Sequence, residues 1–182
     1  MIININKYDY NKLLKICRNS KLEQYGLIRL KIDNDKINFL DVTESTGEEL
    51  ISTTPNDMRL DKYEFIKYNL GITLLFDPKE EIWVLYHTHP GLTASIRLSK
   101  KDIGTFKYKI YLRNKAYREI LKITPPMQID AVITEDEVGF YSIIDEKIVK
   151  HEVKVDGNVI NPGKDGYMKL LKRLVNRIRK DI

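Results

Sequence analysis

One cysteine, Cys17, stands in a chain of 182 residues. No disulfide can close within a single copy, which suits a reducing compartment, and any metal site must be built from imidazole and carboxylate. Histidine is nearly as scarce, with only His87, His89 and His151. No window of about eighteen apolar residues occurs, so no helical membrane span is expected. A basic stretch followed by an apolar run and a small-residue cleavage site is also missing. No export signal is therefore expected, and the expected location is cytoplasmic. Neither an internal repeat nor a low-complexity tract is present.

The length suits one domain over 1–182, and 42% hydrophobic residues suffice for a substantial core. Residues 2–5 read as a short strand. Tyr10, Leu13, Leu14 and Cys17 recur at helical spacing, which predicts an amphipathic helix over 8–18 with Cys17 packed in the core. Residues 25–32 and 37–42 read as two strands joined by the turn-forming Asp33-Asn34-Asp35-Lys36. Between 43 and 75 the pattern is least legible: 53–57 is a loop or helix start around Pro55, and 63–70 is helix or strand. Asp77-Pro78-Lys79-Glu80 is a turn. Helical character runs from Asp102 to about 122, in one or two pieces, with Pro125-Pro126 to stop it. Residues 127–133 and 138–144 read as strands. Residues 147–155 alternate apolar and polar, as one strand with an exposed face and an ordinary surface histidine, His151. Residues 156–166 hold three Gly and one Pro and read as a linker, followed by a basic amphipathic helix over 167–182.

The chemistry concentrates in Trp83-Val84-Leu85-Tyr86-His87-Thr88-His89-Pro90. The apolar run over 82–86 is the signature of a buried strand. Side chains alternate faces along a strand, so His87 and His89 leave the backbone on the same side and are able to share one metal ion. Pro90 and Gly91 end the strand. A catalytic zinc site usually takes three protein ligands and keeps a fourth position for water. The next acidic residue is Asp102, with none after it until Glu119. It sits in the first turn of the expected helix, behind Ser99 in N-cap position, where a returning loop brings its carboxylate over the histidines. A group to take a proton from water is then needed.

His87-Thr88-His89-Pro90 followed by Ser99-Lys100-Lys101-Asp102 resembles the motif of the JAMM (JAB1/MPN+) zinc metalloproteases: an upstream Glu, His-x-His-Pro, a loop, and Ser-x-x-Asp. The loop over 91–98 is longer than in many relatives, and Ser95 stays as the alternative to Ser99. The family's Glu lies on an early strand in a Glu-x-x-Gly-Leu pattern, which Glu23-Gln24-Tyr25-Gly26-Leu27 matches. Glu44, Glu48 and Glu49 stand in a polar, loop-like stretch, and rigid elements position catalytic groups better. The resemblance implies an α/β fold with a central mixed, curved sheet flanked by helices. It implies zinc held by His87, His89 and Asp102, Glu23 as general base, and Ser99 beside the oxyanion. The implied activity is isopeptidase-type cleavage after the C-terminal glycine of a ubiquitin-like or sulfur-carrier protein.

Two other classes remain open. A non-catalytic scaffold of the same fold would bind a partner through its sheet and C-terminal helix. A net charge of +5 (31 basic against 26 acidic residues) and the cationic helix raise nucleic-acid association. No aromatic-rich basic groove accompanies them, which argues against that third reading, and such helices commonly dock an apolar face and leave their charges in water.

Overall fold

In a computed structural model of the protein, the described residues are 1–20, 23–33, 36–43, 51–54, 57–60, 80–91 and 94–160. Several expectations lie wholly or partly outside them: the turn at 34–35, the stretch with Glu44, Glu48 and Glu49, the loop around Pro55, the segment 61–79, part of the loop over 91–98, the linker beyond 160 and the helix over 167–182.

Strand β1 (Ile2–Ile5) leads into helix α1 (Lys7–Arg18), then β2 (Tyr25–Asp33) and β3 (Lys36–Thr43). The short strands β4 (Ile51–Thr54) and β5 (Asp57–Leu60) pair only with each other. Strand β6 (Glu81–Thr88) carries His87, with His89 just past its end, and helix α2 (Lys100–Lys115) follows and continues as a π-helical turn, Ala116–Ile120. Strands β7 (Ile129–Ile133), β8 (Val138–Ile144), β9 (Lys147–Lys150), β10 (Glu152–Val155) and β11 (Asn158–Ile160) follow. Nine strands form one mixed sheet in the order β11-β10-β1-β3-β2-β6-β7-β8-β9. The pairs β1–β3, β1–β10 and β6–β7 are parallel; the others are antiparallel.

The α1 face is the main core. Asn6 caps α1 by accepting from the Asp9 N–H at 2.8 Å, and Tyr10, Leu13, Leu14, Ile16 and Cys17 turn inward. They pack on Ile28, Leu30, Val84, Tyr86, Ala131 and Phe140 from the central strands. Full burial of each such aliphatic side chain stabilises the fold by about 1.5–3 kcal/mol. Residues one step along the same strands face the other way. There Val132 and Tyr141 meet Phe106 of α2, with Leu98, Ile110, Ile143 and Ile148 around them. The sheet therefore has a helix on each face, and α2 is the one on the histidine side.

Five expectations need correction. Residues 53 and 54 belong to β4 and 57 to β5, so these three are strand residues and not a loop or a helix start. Lys122 adopts a left-handed conformation (φ +56°) that ends the helical run before Pro125 is reached. The alternating stretch 147–155 is two strands: 147–150 pair with β8 and 152–155 with β1. Both halves keep period-two alternation, so the pattern could not reveal the change of partner. His151 is the single residue between these strands; β9 is one edge of the strand order and β10 is second from the other. Only a curled sheet lets one residue span that gap. The His151 N–H closes it, donating to the Phe140 carbonyl at 2.9 Å, and the side chain is buried at 4% exposed instead of on the surface. Finally, 158–160 form β11 across a two-residue turn. Asp156 and Gly157 both have positive φ (+48° and +80°), as a type I′ hairpin requires.

Candidate metal centre

His87 lies in β6 between two partners, opposite Tyr25 of β2 and beside Val132 of β7. Being hydrogen-bonded on both sides, that part of the strand is rigid. The His89 N–H continues the parallel ladder by donating to the Ile133 carbonyl at 2.8 Å, so His89 stays in register beyond the last strand residue. Thr88 points to the opposite face, where its hydroxyl accepts from the Gln24 N–H at 2.7 Å. The two imidazoles thus share a face, as strand alternation requires. Their Nε2 atoms stand 3.0 Å apart.

The carboxylate arrives from the start of α2. Ser99 is the N-cap: its hydroxyl accepts from the Asp102 N–H at 3.1 Å, and Asp102 Oδ2 accepts from the Ser99 N–H at 2.6 Å. This reciprocal capping box locks Asp102 in the first helical turn. Its Oδ1 lies 3.4 Å from His87 Nε2 and its Oδ2 3.7 Å from His89 Nε2. Burial raises the Asp102 pKa, but the hydrogen bond and charge of His87, with the Ser99 hydrogen bonds, outweigh it and hold the carboxyl well below its usual range.

These three side chains fit a zinc ion. Nitrogen and oxygen ligands at about 2.0–2.1 Å from a tetrahedral zinc stand about 3.3 Å from one another. The Nε2–Nε2 separation of 3.0 Å and the His87 Nε2–Asp102 Oδ1 separation of 3.4 Å stand close to that value, and the other carboxylate oxygen, Oδ2, faces His89 Nε2 at 3.7 Å. The imidazole chemistry agrees. His89 Nδ1 lies 2.8 Å from the Ser95 carbonyl oxygen, which only accepts, so Nδ1 carries the hydrogen and Nε2 is the nitrogen the ring would offer as a ligand. A lone pair aimed at a second imidazole nitrogen at 3.0 Å requires a proton or a cation between them. His87, His89 and Asp102 are the one group among the described residues whose ligand atoms gather within 4.8 Å of one another.

Ser99, a sequence-predicted site residue, is in hydrogen-bond contact with the cluster through Asp102. Glu23 is outside the cluster. It stands two residues before Tyr25, where the β2–β6 pairing ends, and the last bond on that side is the Thr88 N–H donating to the Gln24 carbonyl at 2.8 Å. Ser95 meets the centre through its carbonyl, while its hydroxyl accepts from the Arg97 N–H at 3.1 Å.

Three supporting residues escaped the sequence reading. Tyr141 on β8 donates its hydroxyl to the Ile96 carbonyl, one residue from the carbonyl that holds His89. Burial, with the Asp102 charge adding to it, pushes the Tyr141 phenol up to about 12, so it remains a donor. Lys109 of α2 and Asp130 of β7 form a buried ion pair beneath the centre. Nothing marks Tyr141 in the sequence. Asp130 does carry a signal: an acid within an apolar strand demands a buried partner.

No family model matches the chain, and no curated protein does. Among solved structures, the chain is similar to the solution structure of protein DSY2949 from Desulfitobacterium hafniense. The match has a TM-score of 0.52 and 16% identity, and it spans 84% of this chain and 92% of that one. At that identity the likeness is one of fold. It supports the α/β class: a mixed, curled sheet with helices. Among the described residues, no helix is long and apolar enough to cross a membrane.

Proposed function

We propose that this chain is a cytoplasmic zinc metallopeptidase of the isopeptidase type, with the JAB/MPN version of the α/β fold that the JAMM resemblance implies. The observation that carries the reading is the gathering of His87, His89 and Asp102 at spacings that suit one zinc ion. Zinc held by His87, His89 and Asp102 would supply Lewis acidity and lower the pKa of water towards neutral pH.

The protein groups do the rest. The Ser95 carbonyl holds the His89 ring with Nε2 turned inward. Glu23 takes a proton from the attacking water and returns it to the leaving amine as the C–N bond breaks. The Ser99 hydroxyl accepts from the Asp102 N–H, which leaves its own hydrogen to donate to the oxyanion that develops on the scissile carbonyl. The substrate is an extended C-terminal tail ending in glycine, from a ubiquitin-like or sulfur-carrier protein, joined to a lysine amine or a short peptide. That assignment follows the family resemblance.

The alternative is a non-catalytic scaffold of the same fold that binds a protein partner. The test measures zinc content and cleavage of ubiquitin-like tails together. Wild type should carry about one zinc per chain, and His89→Ala should lose it. Glu23→Gln should keep zinc and lose cleavage. Zinc absent from wild type after reconstitution sinks the metallopeptidase reading; zinc without cleavage in wild type favours the scaffold.

A further inference from the structure

The loop between β6 and α2 contributes main-chain atoms to the centre, and those atoms are held from a distant strand. Ser95 offers its carbonyl to His89 Nδ1 at 2.8 Å, and the next carbonyl, that of Ile96, accepts from the Tyr141 hydroxyl. Tyr141 follows Ser95 by forty-six positions and lies on β8, two strands from β6 in the sheet. Its ring is buried against Phe106 and Val132. Gly139 makes room for it: a Cβ on that residue would approach the Tyr141 hydroxyl oxygen to 2.7 Å and the ring to 2.9 Å. Ile96 also buries its side chain, at 4% exposed. The loop thus has an apolar anchor, and the Tyr141 hydroxyl adds an orientation.

We infer that Tyr141 is a positioning residue, whose hydrogen bond to Ile96 orients the adjacent Ser95 carbonyl and so fixes the His89 ring with Nδ1 protonated and Nε2 facing the metal site. The Ser95 and Ile96 carbonyls lie in adjacent peptide planes hinged at the Ile96 Cα, so anchoring the second plane restricts the first to rotation about Ile96 φ and ψ. Releasing Ile96 lets the Ser95 carbonyl rotate, and His89 loses the acceptor that selects its tautomer. Outer-shell partners of this kind typically affect metal affinity by roughly 10–100-fold. The metal consequence rests on the proposed zinc site, whereas the tautomer consequence does not.

The test compares wild type with Tyr141→Phe, which keeps the ring and its packing, and with Gly139→Ala, which displaces the hydroxyl by contact. Long-range 15N correlation spectra of the metal-free proteins at about pH 8.5, above the ordinary imidazole range, report which His89 nitrogen is protonated. Zinc affinity is measured by competition with a chromophoric chelator. Wild type should show the Nδ1–H tautomer, and both variants a mixture of tautomers with zinc binding weaker by roughly 10–100-fold. A purely structural role would lower the melting temperature and leave the tautomer unchanged. An unchanged Nδ1–H signal in Tyr141→Phe, with zinc affinity within about twofold of wild type, overturns the inference. If wild type binds no zinc yet its tautomer responds to Tyr141→Phe, the positioning role stands and the metallopeptidase reading falls.

Discussion

Replacing Asp130 with Asn should reveal the energy held in the ion pair beneath the metal centre. Lys109 is 6% exposed and its amine is paired with Asp130; burial lowers its pKa and the Asp130 charge opposes that, while Arg113 lowers it further. In Asp130→Asn the ammonium stays buried without its counter-charge. The folded variant then either keeps an uncompensated charge, which costs about 3–5 kcal/mol, or sheds the proton. Shedding it at about pH 7 costs about 1.4 kcal/mol for each unit below the ordinary lysine value near 10.4, at most about 4.6 kcal/mol. Both routes give a similar loss, a fall of roughly 6–20 °C in melting temperature for a chain of this size.

The second route leaves a signature in pH. Between the depressed lysine pKa of the folded variant and the ordinary value, the unfolded chain binds a proton that the folded one lacks. Stability therefore rises with pH, and the deficit against wild type should shrink by up to about 1.4 kcal/mol per pH unit. The double variant Lys109→Met with Asp130→Leu removes both charges and should recover most of the loss. Urea unfolding followed by circular dichroism at about pH 7 and about pH 9 measures all three proteins. A loss below about 1 kcal/mol in Asp130→Asn, the range of an exposed ion pair, would refute the reasoning. So would a double variant no more stable than the single one.

Burial, with the chain-terminal amine adding to it, depresses His151 to about 4 from an ordinary 6.5. The unfolded chain takes up this proton first as pH falls, so stability is complete above about 6.5 and declines towards pH 4 by up to about 3 kcal/mol. His151→Leu should flatten that slope in melting temperatures compared at about pH 7 and pH 5; an unchanged slope refutes the assignment. Ser99→Ala removes the N-cap of α2 and should cost about 0.5–2 kcal/mol in urea unfolding while zinc stays bound. Peptide cleavage should fall by roughly 10²–10³-fold, and if Ser95→Ala shows that fall instead, Ser95 is the oxyanion donor.

Much of the local architecture was legible along the chain. The apolar spacing of Tyr10, Leu13, Leu14 and Cys17 did make a buried helical face, and 25–32, 82–86 and 138–144 did become strands. What failed did so where one pattern serves two structures. Alternation from 147 to 155 holds equally for one strand or for two that change partners at His151. His151 read as a surface residue because a polar side chain in an alternating strand ordinarily faces water; the curl of the sheet buried it.

The sequence by itself determined that His87 and His89 share a face, since pleating makes every second side chain parallel. It also determined that Ser99 and Asp102 can cap each other, because three residues make the first turn of a helix. These rules act within a few residues and need no knowledge of the fold. Only the tertiary structure decided that Asp102 reaches both imidazoles, that Lys109 finds Asp130, and that Tyr141 reaches the carbonyl beside Ser95. Each of those contacts joins segments well separated in the chain. Whether they meet depends on strand order and on the curl that brings α2 and β8 to the end of β6, neither of which any local pattern encodes.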